Sequence, residues 1–197
     1  MSKILASLSH KKELLAGTIL GLILGIILYI TNPALNDIHI DLVSKPNDIS
    51  STTTDTILPG SIAPDFELLD AATKQPVTLS QFNGKPVILN FWATWCGPCK
   101  VEMPHLEDAH TTYSSSELTI LAINYGEDPT TVLSFASSLG LTFRTLLDET
   151  GTVQTRYQVR GYPTTVFVKT DGTISHTHIG MMNPPMLTEQ IDQLLIH

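Results

Sequence analysis

The sequence predicts an α/β domain with a mixed central sheet flanked by helices, preceded by one N-terminal transmembrane helix. Short apolar runs of strand length alternate along residues 59–197 with segments whose apolar side chains repeat at helical spacing. The pair Asp171-Gly172 separates two runs rich in β-branched residues, which is a strong signal for a β-hairpin. An uncharged apolar run at residues 14–30 stands apart from this pattern and predicts the membrane helix.

The apolar run would extend for about 26 Å as a helix, close to the hydrocarbon thickness of a bilayer. A cleaved secretory signal is the alternative, but residues 31–34 (TNPA) match a cleavage site poorly, so we favour an uncleaved anchor over residues 14–32. Three glycines at a spacing of four would place small side chains on one helix face, which suits a weak homodimer: Gly17, Gly21 and Gly25.

Basic residues predict the orientation of this anchor. Lys3, Lys11 and Lys12 precede the apolar run, and the next basic residue is Lys45. By the positive-inside rule, residues 1–13 stay in the cytoplasm and the domain lies on the extracytoplasmic side of the cell membrane.

Residues 33–58 include the polar run 50–55 (SSTTTD) and have too few apolar side chains to form a core. We expect them to form a flexible linker between the anchor and the domain at residues 59–197. The chain of 197 residues carries a net charge of -8, and no cluster of Lys and Arg follows Lys12. A nucleic-acid-binding face needs such a cluster, so this class of partner is excluded.

Within the domain, apolar runs bounded by turn residues predict strands, and amphipathic segments predict helices. The predicted strands cover residues 66–69, 77–79, 87–92, 118–124, 142–147, 164–168 and 173–179. The predicted helices are one that begins close to Cys96, then 129–139, 151–157 and 186–196. In the first helix, four apolar residues are expected to face the core: Val101, Leu106, Ala109 and Tyr113.

Cys96 and Cys99 are the only two cysteines in the chain. A structural disulfide between them would close a very short loop, and its chain-entropy contribution would be only about 2 kcal/mol. Zinc would need further ligands at characteristic spacing. Two pairs of histidines do not provide that spacing and are expected to face solvent: His105 with His110, and His176 with His178. Haem attachment requires His directly after Cys99, where Lys100 stands instead.

Thiol-disulfide exchange fits the two cysteines best. At the start of a helix, unpaired backbone N–H groups stabilise the thiolate of Cys96, and Lys100 lies one turn further along. Lowering a thiol pKa from about 8.5 to about 7 raises the thiolate fraction roughly 16-fold, while intrinsic nucleophilicity falls about 5-fold. The larger benefit is that Cys96 becomes a better leaving group when Cys99 attacks it.

Residues 95–99 (WCGPC) resemble the active site of the thioredoxin superfamily. The flanking residues 91–94 (FWAT) and 102–104 (EMP) resemble the membrane-anchored TlpA/ResA-like thiol-disulfide oxidoreductases, which carry an AhpC/TSA-redoxin-like domain. The likeness extends to residues 63–66 (APDF), 161–165 (GYPTT) and the terminal hairpin. It implies a thioredoxin-like fold and an enzyme that needs no cofactor besides a redox-active disulfide between Cys96 and Cys99.

The resemblance implies a role for each matching residue. Cys96 would be the attacking thiol and Cys99 the resolving thiol. Pro163 matches the family's cis-proline opposite the active site, beside which the backbone pairs with an extended substrate segment. The other residues expected to contact the substrate lie around these positions: Trp95, Gly97, Pro98 and Tyr162.

The proton acceptor for the resolving thiol differs from that of cytosolic thioredoxins, which carry a buried Asp six residues before the first cysteine. This chain has Asn90 there, which does not ionise. Glu102 follows Cys99 by three residues, so it lies one turn on along the same helix face, and it matches the acidic residue of the TlpA/ResA group. We therefore favour Glu102 as the general base over the alternative of a solvent-exposed helix carboxylate.

The predicted function is disulfide exchange with protein substrates outside the cytoplasm, and the thioredoxin-type pair Gly97-Pro98 favours a reductant. The resemblance implies a role in cytochrome c maturation or in reducing metal-site thiols, with a membrane electron donor of the CcdA or DsbD kind. A tethered, non-catalytic binding module of the same fold is the alternative. A peroxiredoxin-type peroxidase has less support, because its site needs Thr and Pro where this chain has Ala93 and Leu89.

Overall fold

The computed structural model describes residues 57–116 and 118–196. The predicted anchor with its three glycines, and nearly all of the predicted linker, lie outside the described residues. Within the described ranges, no helix has both the length and the apolar character needed to cross a bilayer.

Seven strands and four α-helices make up the described part of the chain. The strands are β1 (Glu67–Asp70), β2 (Pro76–Thr78), β3 (Val87–Trp92), β4 (Thr119–Tyr125), β5 (Arg144–Asp148), β6 (Thr164–Val168) and β7 (Ile174–Ile179). The helices are α1 (Gly97–Thr112), α2 (Pro129–Ser138), α3 (Thr152–Arg156) and α4 (Pro184–Leu195). Short 3-10 turns lie at Leu79–Phe82 and Ser114–Ser116.

The strands form one mixed sheet in the order β2-β1-β5-β4-β3-β6-β7. The pairs β3/β4 and β4/β5 are parallel, and all the other neighbouring pairs in this sheet are antiparallel. The terminal hairpin β6/β7 turns at Asp171-Gly172, where Gly172 has a φ of 81°. The prediction of an α/β domain with a mixed central sheet is therefore confirmed.

The central strand β3 is buried along its whole length, and its side chains alternate between two cores. Ile88 and Trp92 pack on the face covered by α1 and α4, whereas Leu89 and Phe91 pack on the opposite face. Asn90 lies between Ile88 and Trp92 on the α1 face and is fully buried. The alternation therefore places one amide side chain inside an otherwise apolar core, directly beneath the first helix.

The burial of α1 differs from the prediction at one position. Val101 is 53% exposed, so its assignment to the core is wrong. The buried face instead contains Cys99, Glu102, Met103, Leu106 and Ala109. A helix turns about 100° per residue, and a face centred on residues 102, 103, 106 and 109 leaves position 101 on the solvent side. The core-facing stripe of α1 thus includes a carboxyl group that a purely apolar pattern does not reveal.

Hydrogen bonds from backbone N–H groups to side chains explain where two elements begin. Asn183 accepts the N–H of Met186 at 3.0 Å, and α4 therefore starts at Pro184, two residues before its predicted start. Thr142 does not extend β5, because its N–H donates to the carboxylate of Glu107 at 2.7 Å. Strands β3 and β6 have the bounds that the sequence predicts, and both are runs of mostly apolar or β-branched residues that are buried along their whole length.

Candidate active site

The two cysteines form a disulfide at the start of α1, with their Cα atoms 5.3 Å apart. Cys96 is the N-cap residue of the helix, and its sulfur accepts the backbone N–H of Cys99 at 3.1 Å. Cys96 is 6% exposed and Cys99 is 1% exposed. Both residues are buried in the oxidised form, but Cys96 is the more accessible of the two and lines a surface groove that Cys99 does not reach.

The sequence before the disulfide explains why the helix starts there. Strand β3 ends at Trp92, and a tight turn follows in which the N–H of Cys96 donates to the carbonyl of Ala93 at 3.1 Å. Pro98 occupies the first helical turn, where backbone N–H groups have no partner within the helix. The N–H that proline lacks is therefore not needed there. The ammonium group of Lys100 lies 5.7 Å from the ring centroid of Phe135, so this cation packs against α2.

Glu102 is fully buried beneath the disulfide-bearing turn. Its Oε2 accepts a hydrogen bond from Asn90 Nδ2 at 2.9 Å, and its Oε1 accepts the backbone N–H of Met182 at 2.7 Å. Burial raises the pKa of the Glu102 carboxyl above its usual 4.5, although the bonds from Met182 and Asn90 and the charge of His105 act in the opposite direction. The alternative of a solvent-exposed helix carboxylate is excluded.

Asn90 links this carboxyl group to the sheet. Its Nδ2 also donates to Thr165 Oγ1 at 2.9 Å, on the strand that pairs directly with β3. Both amide hydrogens are thus used, and the Asn90 Oδ1 is buried without a hydrogen-bond partner among the described residues. The neutral amide of Asn90 can donate a hydrogen bond to ionised Glu102, whereas an ionised aspartate at this position would repel that carboxylate. This fits the presence of Asn90 where cytosolic thioredoxins carry Asp.

Pro163 lies in the loop before β6, and the peptide bond between Tyr162 and Pro163 is cis, as the resemblance implied. The carbonyl of Pro163 accepts the N–H of Gly180 at 2.8 Å. Gly180 and Met182 belong to the same connection between β7 and α4, so one loop contacts both the cis-proline and the buried carboxyl group of Glu102.

An aromatic surface surrounds the exposed side of the disulfide. Trp95 is 65% exposed, and its ring meets Tyr162 edge-on with centroids 5.6 Å apart. Tyr125 stacks on Tyr162 at 6.1 Å. Burial and the neighbouring Tyr125 and Asp148 raise the pKa of Tyr162 to about 12, so its hydroxyl stays protonated and donates to Gln154. These rings present a largely apolar face beside Cys96.

These side chains border an open groove of about 590 Å³. Four of the predicted substrate-contact residues line it together with Cys96: Trp95, Gly97, Pro98 and Tyr162. The prediction did not include Tyr125, Gln154 and Arg160, which also line the groove. Tyr125 falls one residue beyond the predicted end of its strand, and no local pattern distinguishes it from an ordinary surface tyrosine.

The prediction that four histidines face solvent is wrong. His105, His110, His176 and His178 are all half-buried. His176 is in register with the buried Phe167, and the rings of His176 and His178 lie 6.3 Å apart on one face of β7. In the described part of the chain, no group of three or more His, Cys, Asp or Glu side chains could hold a metal ion.

Residues 59–177 match the AhpC/TSA family. The chain is 36% identical over 135 residues to the thiol-disulfide oxidoreductase ResA of Geobacillus kaustophilus, a match covering 68% of this chain and 77% of the relative. The identity to ResA of Bacillus subtilis is 36% over 138 residues, covering 70% and 76% of the two chains. A Chlorobium tepidum structure assigned as the thiol:disulfide interchange protein DsbE has a TM-score of 0.67 and 28% identity, covering 71% and 99%.

A disulfide at this place in this fold, together with these relatives, defines the class of protein: it is a thiol-disulfide oxidoreductase of the thioredoxin superfamily. The chain belongs to the AhpC/TSA family and, within the superfamily, it is a ResA-like protein.

The raised pKa of Glu102 predicts a pH-dependent stability. Between pH 4.5 and the raised pKa, the folded protein holds a proton that the unfolded chain releases, so the free energy of unfolding falls as pH rises through this window. Glu102→Gln removes this titration. The measurement is the free energy of unfolding of Glu102→Gln and of the unsubstituted protein, by urea titration of the oxidised forms. The value for Glu102→Gln minus the value for the unsubstituted protein should increase from pH 4 to pH 8.

Glu189→Gln is the control for this measurement, because Glu189 is exposed on α4. Its free energy of unfolding should keep the pH dependence of the unsubstituted protein. Equal pH dependence in both variants would show that Glu102 has an ordinary pKa.

Proposed function

We propose that the protein reduces disulfides in other proteins on the extracytoplasmic side of the cell membrane, with Cys96 attacking, Cys99 resolving and Glu102 as general base. The observation that carries this proposal is the buried carboxyl group of Glu102, one helical turn beyond Cys99 and held by two hydrogen bonds. A carboxyl group whose pKa is raised by burial is better matched to accept a thiol proton than an ordinary surface carboxylate.

The first step uses Cys96, the more accessible of the two cysteines. In the reduced protein, the thiolate of Cys96 attacks one sulfur of the substrate disulfide, whose S–S bond breaks as a mixed disulfide forms. The second substrate sulfur leaves as a thiolate and takes a proton from water. The N-terminal N–H groups of α1 stabilise the attacking thiolate, and the N–H of Cys99 already points at this sulfur in the oxidised form.

The second step uses the buried sulfur. Glu102 accepts the proton of the Cys99 thiol, and the resulting thiolate attacks the sulfur of Cys96. The Cys96–Cys99 disulfide forms, the mixed disulfide breaks, and the first substrate sulfur leaves as a thiolate. Two electrons have then passed from the cysteine pair to the substrate. Because Cys99 and Glu102 share the buried face of α1, the proton transfer takes place out of contact with bulk water.

The substrate would lie in the groove beside Cys96. Trp95 and Tyr162 offer an apolar face for side chains that flank the target disulfide, while Gly97 and Pro98 leave the attacking sulfur uncovered. By the resemblance to the family, the backbone beside Pro163 would pair with an extended substrate segment. The groove is open rather than enclosed, which favours a polypeptide substrate over a small molecule.

The cellular role that we propose is reductive. Candidate targets are the cysteine thiols of cytochrome c precursors or of a metal-binding protein, and the electrons would come from a membrane thiol carrier of the CcdA or DsbD kind. The names of the relatives, thiol-disulfide oxidoreductase ResA and thiol:disulfide interchange protein DsbE, support the exchange chemistry. The predicted anchor at residues 14–32 would keep the domain close to such a carrier, and Gly17, Gly21 and Gly25 would allow a weak homodimer within the membrane.

Disulfide exchange is favoured over peroxide reduction at this site. The two positions where a peroxiredoxin needs Thr and Pro hold Ala93 and Leu89, and both side chains are fully buried. Neither can donate a hydrogen bond to a peroxide. The partner of Cys96 is instead Cys99, directly across one helical turn.

Single cysteine variants test the roles of the two thiols. Cys99→Ser should accumulate mixed disulfides with protein partners, because Cys96 still attacks but nothing resolves the product. Cys96→Ser should abolish reduction of a protein disulfide such as that of insulin and should trap no partner. Non-reducing gels of cell extracts, with the double variant as control, measure the trapping, and precipitation of reduced insulin by the purified variants measures the reduction. A double variant that preserves the cellular role would favour the non-catalytic binding module.

The reduction potential tests the direction of exchange. Equilibration of the pair Cys96–Cys99 in glutathione or dithiothreitol buffers should give a potential near -250 mV or lower, as expected of a reductant. A potential above about -150 mV would identify an oxidant and contradict the reductive role.

A further inference from the structure

The turn between β3 and α1 carries Trp95 and Cys96 at its third and fourth positions. A hydrogen bond from the N–H of Cys96 to the carbonyl of Ala93 closes this turn at 3.1 Å. Thr94 occupies the second position. Because the backbone angles at the second and third positions define a turn, a contact that fixes Thr94 also fixes the directions of the two residues that follow.

Glu127 holds Thr94 from the connection that follows β4. Its Oε2 accepts the N–H of Thr94 at 2.7 Å, and its Oε1 accepts the Thr94 hydroxyl at 2.5 Å. Asn124 donates from Nδ2 to the same Oε2 at 2.8 Å. Three donors thus converge on one half-buried carboxylate, and hydrogen bonds to a charged acceptor are stronger than neutral ones.

The connection that carries Glu127 is itself firmly placed. Gly126 has a φ of 68°, a left-handed conformation that glycine adopts without steric cost. Asp128 is the N-cap of α2, so Glu127 stands between a fixed turn and a helix start. Parallel pairing sets Trp92 opposite Asn124, and the carboxyl ends of β3 and β4 therefore meet at one edge of the sheet.

We propose that Glu127 is a positioning residue for disulfide exchange. By clamping Thr94, it holds Cys96 at the helix start and Trp95 against Tyr162. The inference rests on the exchange activity proposed above and extends it to a residue outside the C-x-x-C segment and outside the groove beside Cys96.

The clamp works through hydrogen-bond geometry, and this makes Glu127→Gln informative. The amide oxygen of glutamine can accept from the Thr94 N–H and from Asn124, while its amide nitrogen can donate to the Thr94 hydroxyl. Glu127→Gln therefore keeps all three contacts without a charge. Glu127→Ala removes all three and leaves the turn unanchored.

The test compares the rates at which the reduced variants attack a protein disulfide, with insulin as the probe. Glu127→Ala should lower kcat/KM by about tenfold to a hundredfold, chiefly through kcat, because a displaced nucleophile loses rate on that scale. Glu127→Gln should stay within about twofold of the unsubstituted protein, since small changes in geometry move the rate little.

A matched control lies elsewhere on the same domain. Glu107 on α1 binds Thr142 in the same manner, accepting the backbone N–H at 2.7 Å with Oε2 and the hydroxyl with Oε1. Glu107→Ala removes an equivalent carboxylate–threonine clamp from the turn before β5. It should lower the free energy of unfolding by a similar amount as Glu127→Ala while leaving kcat/KM within about twofold.

A spectroscopic readout tests the clamp independently of activity. The chain has two tryptophans, of which Trp92 is fully buried and Trp95 is 65% exposed. The oxidised protein is labelled with fluorotryptophan, and the fluorine NMR resonance of Trp95 is assigned as the one that Trp95→Phe removes. In Glu127→Ala this resonance should shift and narrow, because the Trp95 ring no longer packs against Tyr162. It should not move in Glu107→Ala or Glu127→Gln.

Two results would overturn the proposal. One is a Glu127→Gln variant that attacks insulin as slowly as Glu127→Ala does. The charge of Glu127, and not its hydrogen-bond geometry, would then determine the rate. The other is a Glu127→Ala variant with the rate and the Trp95 resonance of Glu107→Ala. If Glu127→Ala does not fold, Thr94→Val removes only the hydroxyl contact and should show a smaller loss of the same kind, whereas no loss would contradict the clamp. An unsubstituted protein without insulin-reducing activity would instead contradict the proposed function and leave the Trp95 readout valid.

Discussion

Burial of an ionisable carboxyl group is the constraint on which the rest of this site depends. An unpaired carboxylate inside a protein would be strongly destabilising, so Glu102 needs donors from elements that surround it. They come from Asn90 on the central strand and from the backbone of Met182 before the last helix. The helix, the sheet and the C-terminal loop therefore meet at one side chain, and the two cysteines lie directly above it at the start of α1.

This arrangement gives the two sulfurs different surroundings. Cys96 lies at the positive end of the helix and borders the open groove, where the helix N–H groups would stabilise its thiolate in the reduced protein. Cys99 shares the buried face with Glu102 and is almost completely buried, so in the proposed mechanism this carboxyl group would accept its proton. In the proposed mechanism two carboxylates would act on this segment: the buried Glu102 on the thiol of Cys99, and Glu127 on the turn that carries Cys96. Attack and resolution can then be tuned separately.

The sequence predicts those parts of the structure that depend on local pattern. The prediction of strand β3 is correct to the residue because its run is apolar at every position but Asn90, and the cysteine spacing identifies the helix start. The prediction of the buried face of α1 is wrong at Val101. The buried face includes Glu102, which a hydrophobic pattern assigns to solvent. Tyr125 and Glu127 contact Tyr162 and Thr94, which are more than 30 residues away in the sequence, so these contacts depend on the assembled sheet and not on a local pattern.

The most direct measurement of the central claim is a titration of the Glu102 carboxyl carbon by NMR in the oxidised and the reduced protein. If Glu102 accepts the proton of Cys99, the carbon titrates above pH 4.5 in both states, and the reduced protein shows a second inflection where Cys99 ionises. Reduced Cys99→Ser should lack that inflection. A single titration near pH 4.5, identical in both redox states, would contradict the account.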